Sequence, residues 1–449
     1  MTDAVPPLPS PASRGAHFLR LFRDYLAGNS LVGRALMLAV LTLLLRFPLG
    51  MVDGVIADRQ SYRSEAISNV RDSWGRAQTF VGPMIVLPYS AATGAWTRAA
   101  TLLPETLTID GKVVPEQRRR GLFSVTVYTA SFDVVAEFQT KAVRELVADG
   151  RWIDWSAARL TLGLSEVKSI NATVVEVDGQ PVEWIPDTPT ALSSLQAPLA
   201  SAGLADRDTV TVRFHLSFTG SGALCLIPLG RRTEASIASS WPSPSFMGRY
   251  LPASQTIDKD GFIAKWSISY LGRGYGQLWD GASSTDPAPR AVLESAFGVT
   301  LLNAVDAYRE TDRAIKYGVM FIALTFATCL MFEFVGGTRP SVAQYGLIGL
   351  SLCVFYLLLL SLSEQIGFGL AYLISAGAVA GQATIYNWAL MRRRIPALAF
   401  GAILAGLYGG LYGLLQLEDV ALLTGSLLLF AVLSLAMWFT RNLHRTQPA

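Results

Sequence analysis

Residues 317–440 hold only eight charged side chains in 124 positions: Glu333, Arg339, Glu364, Arg392, Arg393, Arg394, Glu418 and Asp419. A helix that spans a bilayer needs about 20 mostly apolar residues. Five such runs fall in this stretch, at about 317–335, 343–362, 366–390, 397–416 and 420–440. Their connections are a few residues long, which requires neighbouring antiparallel helices. A sixth run lies far upstream, at about Leu31–Val55, where Arg46 and Pro48 interrupt it. The sequence therefore predicts a membrane α-helical bundle of six transmembrane helices, one N-terminal and five C-terminal. The 261 residues between the first and second runs form a large insert. Expected domains are a tail at 1–30, a span at 31–55, the insert at 56–316, a five-helix bundle at 317–440 and a tail at 441–449.

The other 325 residues carry 63 charges, about 19%, closer to the density of a soluble domain. With a net charge of +3, the chain has no strongly basic face, so no nucleic-acid partner is expected. The expected partner is the lipid bilayer, with an envelope protein or cell-wall component as a further possibility.

Arginine placement sets the expected orientation. With the N-terminus in the cytoplasm, inside segments carry Arg14, Arg20, Arg23, Arg339, Arg392 to Arg394, Arg441 and Arg445. The two short outside loops carry Glu364 and Glu418-Asp419 and no Lys or Arg. Both termini are then cytoplasmic. In a bacterial inner membrane the insert is periplasmic. A cleaved signal peptide fits the first run less well than a retained anchor, because a long tail precedes it and no Ala-x-Ala-like site follows.

The insert reads as an antiparallel β-rich domain. Val210, Val212, Phe214, Leu216 and Phe218 alternate with polar residues, as a half-buried strand requires. Phe123, Val125 and Val127 do the same. Gly220-Ser-Gly222 is expected to turn the chain, and Asp110-Gly111 and Asp178-Gly179 are hairpin signals. Residues 185–208 are rich in Pro, Ser and Ala and are expected to be a long loop or a boundary between two β subdomains. Residues 57–75 and 302–316 are amphipathic and read as helical stalks, with mechanical coupling and passive tethering both open.

Chemistry-bearing motifs are sparse. No P-loop, dinucleotide turn or nucleophile elbow occurs, so no catalytic residue, metal site or cofactor is expected. His215 lies on the polar face of a strand, where a cross-strand role is expected, and Cys225 reads as a buried apolar residue. Asp154 between Trp152 and Trp155 has the composition of a carbohydrate-binding cluster, although aromatics more often fill cores. Arg118-Arg119-Arg120 reads as a solvated run. Arg46 and Glu333 are the ionisable candidates within the spans, each able to reach an interface by its long stem. Gly377/Gly381, Gly406/Gly410 and Gly409/Gly413 have the G-x-x-x-G spacing expected to pack helices closely. In Ser240-Trp-Pro-Ser-Pro-Ser-Phe246, Pro242 and Pro244 predict a stiff loop that bars strand pairing and carries Trp241 and Phe246.

Several stretches together carry a family resemblance: Tyr62-Arg-Ser64, Val81-Gly-Pro83, Ser217-Phe-Thr-Gly-Ser-Gly222, Ser240 to Phe246, Thr311-Asp-Arg-Ala-Ile-Lys-Tyr317 and Phe355 to Glu364. In these the sequence resembles the CreD family of inner-membrane, cell-envelope integrity proteins of Gram-negative bacteria, from about residue 31 onward. The resemblance implies a role in envelope integrity, in tolerance to certain colicins and in a stress regulon under a sensor kinase and its response regulator. It implies no catalytic residues. The expected function is thus non-enzymatic envelope maintenance through binding by the insert, with Arg59, Arg63, Trp241 and Phe246 as candidate coupling residues. The alternative is transport of a lipid or small solute, which a polar cavity holding Arg46, Glu333 or Asn387 would favour. An enzyme acting on peptidoglycan or lipid would need two close carboxylates in the insert.

Overall fold

The computed structural model describes residues 31–416, apart from 92–96, 149–150, 189, 191, 201–202, 280–286, 288, 302–306, 337–339 and 392–393, together with scattered positions between 423 and 437. The expected cytoplasmic tails and most of the run at 420–440 lie outside the described residues. The chain divides into two compact units, one of residues 1–62 and 305–449 and the other of residues 63–304.

The helices in chain order are α1 (Leu31–Trp74), α2 (Lys141–Ala148), α3 (Pro289–Leu293), α4 (Ala307–Lys316), α5 (Gly318–Gly336), α6 (Val342–Ile366), α7 (Phe368–Met391) and α8 (Arg394–Gln416). Among the described residues, α1, α6, α7 and α8 are each long and apolar enough to cross a membrane. The α4–α5 pair, bent by 50°, makes a fifth span if taken as one. Pro48 does not end α1, which runs for 44 residues. A membrane helix tolerates such a proline because neighbouring groups can satisfy the backbone it frees. Ser341 caps α6 with a reciprocal capping box to Gln344, and Gly367 at φ 80° ends it.

The first unit packs through glycines other than those the sequence pattern singled out. A Cβ on Gly318 would lie 2.8 Å from the Leu49 side chain, and one on Gly349 would lie 2.8 Å from the Phe326 ring. Gly349 also meets Leu45 of α1. By contrast, a Cβ on Gly377, Gly381, Gly406, Gly409 or Gly413 would meet nothing within 4 Å. G-x-x-x-G spacing states that small residues share a helix face; it does not state that a neighbour covers that face.

The second unit is built on eighteen strands among the described residues. They are β1 (Gln78–Ala91), β2 (Thr97–Leu102), β3 (Thr106–Arg120), β4 (Phe123–Gln139), β5 (Arg151–Ile153), β6 (Arg159–Leu164), β7 (Ile170–Val177), β8 (Gln180–Val182) and β9 (Ile185–Pro186). Then follow β10 (Leu195–Pro198), β11 (Thr209–Ser221), β12 (Ala223–Leu226), β13 (Arg232–Ser239), β14 (Pro244–Gly248), β15 (Ser254–Asp258), β16 (Gly261–Ser269), β17 (Leu278–Trp279) and β18 (Phe297–Leu301). One sheet follows the order β14-β18-β12-β1-β6-β10-β9, with β2, β5 and β17 branching from it, and the other follows β15-β16-β13-β3-β4-β11-β7-β8. Their inner faces share one hydrophobic core. Phe80 of the first sheet meets Phe132 of the second edge-on, with ring centroids 5.4 Å apart.

The structure corrects several expectations here. The sheets are not wholly antiparallel, because β1 pairs with β12 and β3 with β13 in parallel. Such pairs join segments more than a hundred residues apart, beyond the reach of any local signal. Residues 185–208 contribute β9 and β10 to a sheet edge and do not divide the core, which is continuous. Asp178-Gly179 does turn the chain, both residues taking positive φ. Asp110-Gly111 does not; it lies inside β3, opposite Asp133 and Phe132. Gly111 is there for space, since a Cβ would fall 2.8 Å from Cε1 of Phe132. Pro244 opens a strand, β14, which is possible because β14 is an edge strand and Pro244 is its first residue. Cys225 on β12 is half-buried, not buried, and burial raises its thiol pKa.

Candidate functional site

The polar side chains of the first unit gather at two depths on α1. Near its start, Arg34 pairs with Glu333 of α5, and Glu333 also accepts a hydrogen bond of 2.8 Å from the Tyr345 hydroxyl of α6. Glu333 and Tyr345 are both buried. Farther along, Arg59 lies 3.9 Å from Glu364 at the end of α6, and Glu364 accepts a 2.6 Å bond from the Tyr308 hydroxyl of α4. Arg34 and Arg59 are 25 residues apart, so they are about 38 Å apart along a helix. That is close to the roughly 40–45 Å thickness of a bilayer with its headgroups. The two clasps thus tie α1 to its neighbours at two well-separated points along its length.

Within the second unit, the end of α1 is fastened at Trp74. The Trp74 Nε1 donates to the Tyr128 carbonyl at 3.4 Å, and the Arg118 guanidinium stacks 3.7 Å from the Trp74 ring centroid. Thr219 donates to the Trp74 carbonyl at 2.5 Å, and Ser221 to the Gly75 carbonyl at 2.8 Å. These side chains satisfy carbonyls that a helix end leaves without an intrahelical partner. Gly75 reverses the chain at φ 131°, where a side chain would be strained and would press on the Thr219 carbonyl. Gly220 leaves room for Tyr128, whose hydroxyl donates to the Ala223 carbonyl at 2.8 Å. Burial raises the Tyr128 pKa, so it stays a neutral donor. The buried Gln78 side chain donates to Ser169 and to the Thr219 carbonyl, both at 3.1 Å, and completes the joint. The stretch Ser217–Gly222 is therefore the seat of a helix end more than a turn. Only Gly222, at φ 76°, supplies the bend.

The structure scatters the residues singled out in the sequence. Arg59 belongs to the second clasp, while half-buried Arg63 begins the other unit. Arg46 is exposed on α1 and is not brought together with Glu333. Glu333 turns inward to Arg34 and Tyr345 instead of outward to the interface. Glu364, expected in a loop, lies in the last turn of α6. The sequence does hold a signal for both clasps: the expected topology places Arg34 and Glu333 at inner helix ends, and Arg59 and Glu364 at outer ones. Asn387 is buried on α7.

Trp241 and Phe246 fold back on the β core. The Phe246 ring meets Phe262 and Trp266 edge-on, each at 5.8 Å, and Trp241 Nε1 donates to the Ser243 carbonyl at 3.1 Å. Phe246→Ala is expected to cost about 2–3 kcal/mol as a half-buried aromatic lost from a packed cluster. Thermal unfolding of the full-length variant checks this, and an unshifted transition would mean that the ring is free for another task.

Asp154 caps a short 3-10 turn by accepting from the Ser156 and Ala157 amides, and these bonds with that from the Ser156 hydroxyl lower its pKa. Trp155 packs on the core while Trp152 is exposed, so the three form no common binding face. His215 Nδ1 lies 2.8 Å from Asp133 across strands β11 and β4, the role expected of it. Among the described residues, no group of three His, Cys, Asp or Glu side chains is placed to hold a metal ion.

Comparison with known proteins agrees with the architecture. The curated Inner membrane protein CreD of Escherichia coli (strain K12) is 32% identical over 414 residues, covering 89% of this chain and 90% of that protein. Among solved structures, native yeast LTA4 hydrolase is 10% identical over 50% of this chain and 35% of its own, with a TM-score of 0.18, too slight to bear on fold or activity. The family profile of Inner membrane protein CreD matches residues 30–445, and the chain belongs to that family of inner membrane proteins.

Proposed function

We propose that this multi-pass inner membrane protein maintains the cell envelope and its response to stress without catalysing a reaction. Its β unit lies in the periplasm and binds an envelope component or protein partner, and α1 carries the consequence of binding into the bundle. The observation behind this reading is the single unbroken helix Leu31–Trp74. Its first part is clasped twice to the bundle, and its last turn is fastened in the β unit by Trp74, Thr219 and Ser221. A passive tether would need none of these contacts, because a flexible linker holds two units together equally well. Two of the six stretches that carry the family resemblance coincide with the fastenings: Ser217–Gly222 seats the helix end, and Phe355–Glu364 ends in the acceptor for Arg59 and Tyr308.

Inserting Gly-Gly-Ser after Tyr62 tests the reading. Full-length protein is expected at normal levels and with normal thermal unfolding, while cells lose resistance to detergent and cell-wall stress as completely as cells lacking the protein. Full resistance would show that the helix is only a tether.

A further inference from the structure

We propose that β15 is a docking edge for a second copy of this chain, whose own β15 adds antiparallel to it. The two sheet paths have four ends, at β14, β9, β15 and β8, and the branches of the first end at β5 and β17, which are only three and two residues long, too short to template a partner strand. Three of the four path ends carry a proline, which removes a backbone donor from the strand: Pro244 in β14, Pro186 in β9 and Pro181 in β8. Proline at an edge is a common guard against unwanted strand addition. β15, Ser254-Gln-Thr-Ile-Asp258, has no proline, glycine or lysine, and all five of its residues are exposed. Alternate backbone amides and carbonyls of an edge strand point away from its one neighbour and are free to pair.

The sequence of β15 is complementary to itself. Antiparallel pairing centred on Thr256 sets Thr256 against the partner's Thr256, Gln255 against the partner's Ile257 and Ser254 against the partner's Asp258. No like charges face each other, and the serine can donate to the carboxylate. Apolar surface surrounds the edge: Ile257 is 46% exposed, Ile263 50%, Val114 51% and Leu251 72%. A groove of about 320 Å³ includes Thr256 and Asp258 of this edge in its lining, together with Lys112, Val114, Gly261 and Ile263. Two-fold symmetry makes each contact twice.

The test uses the full chain in lipid nanodiscs with Cys225, Cys329 and Cys353 replaced by alanine. Thr256→Cys is expected to shift to dimer mass on mild oxidation, and Thr108→Cys, exposed on the central strand β3, is expected to stay monomeric. In light scattering the unmodified chain is expected to be a dimer, and Thr256→Lys, which sets two ammonium groups face to face, a monomer with unchanged thermal unfolding. A monomeric unmodified chain would overturn the proposal. So would a dimer indifferent to Thr256→Lys, or capture of a different protein by Thr256→Cys in cells.

Discussion

Glu333→Ala is expected to destabilise the membrane unit by about 3 kcal/mol, the lower end of what breaking a buried ion pair costs. The lower end applies because the Arg34 side chain retains 21% exposure while that of Glu333 retains 5%. Removing the carboxylate leaves the guanidinium without its counter-charge and the Tyr345 hydroxyl without its acceptor. The Tyr345 hydroxyl would then sit unpaired among packed side chains, and the partly exposed guanidinium would lose its counter-charge. Arg34→Ala is expected to cost less, because Glu333 keeps its hydrogen bond from the Tyr345 hydroxyl. The two changes together should cost less than their sum, with a coupling of about 1–3 kcal/mol between residues in direct contact. Denaturation of the full chain in mixed micelles, followed across the four proteins of this cycle, measures the coupling directly. Additive effects would mean that α1 is not clasped to α5 and α6 through this pair.

Gly220→Ala is the second large effect. A Cβ there would fall 2.6 Å from Cζ of Tyr128 and 2.9 Å from the Gln78 side chain, both fully buried. Neither can swing aside, since Tyr128 is held by the Ala223 carbonyl and Gln78 by Ser169 and the Thr219 carbonyl. Overpacking of this kind costs about 1–3 kcal/mol, and a displaced Tyr128 would add the loss of its hydrogen bond. The damage centres on the seat of the α1 terminus, so Trp74 fluorescence should change along with the unfolding midpoint. Gly346→Ala is the matched control: the added Cβ meets nothing within 4 Å on α6, and alanine favours a helix by up to about 1 kcal/mol over glycine. Equal effects at the two positions would contradict the role given to Gly220.

What could be read from sequence follows from the range of each signal. The alternation at 209–218 is local, and β11 buries the very residues it marks: Val210, Val212, Phe214, Leu216 and Phe218. The apolar runs are likewise local and give the helices. Glycine is ambiguous, because one residue type serves turns, close approach and open faces alike. Gly179 turns the chain, Gly111 admits a phenyl ring and Gly406 faces open space. The joint at Trp74 unites residues 54 and 145 positions apart, so the sequence showed its parts in Ser217–Gly222 without showing what they seat. The charged clasps were half legible. Depth in the membrane could be inferred from the expected topology, whereas the choice of Arg34 over Arg46 as the partner of Glu333 depends on which face of α1 turns inward.

The side of the membrane on which the β unit lies decides whether an envelope component can reach it at all. Single cysteines placed at Thr108 and Arg394, both exposed, in a chain lacking its native thiols can be labelled with a membrane-impermeant maleimide in intact spheroplasts. Labelling of Thr108→Cys before lysis, and of Arg394→Cys only after it, is the expected result. A Thr108→Cys thiol that stays protected until the cells are broken would place the β unit in the cytoplasm and contradict an envelope-binding role.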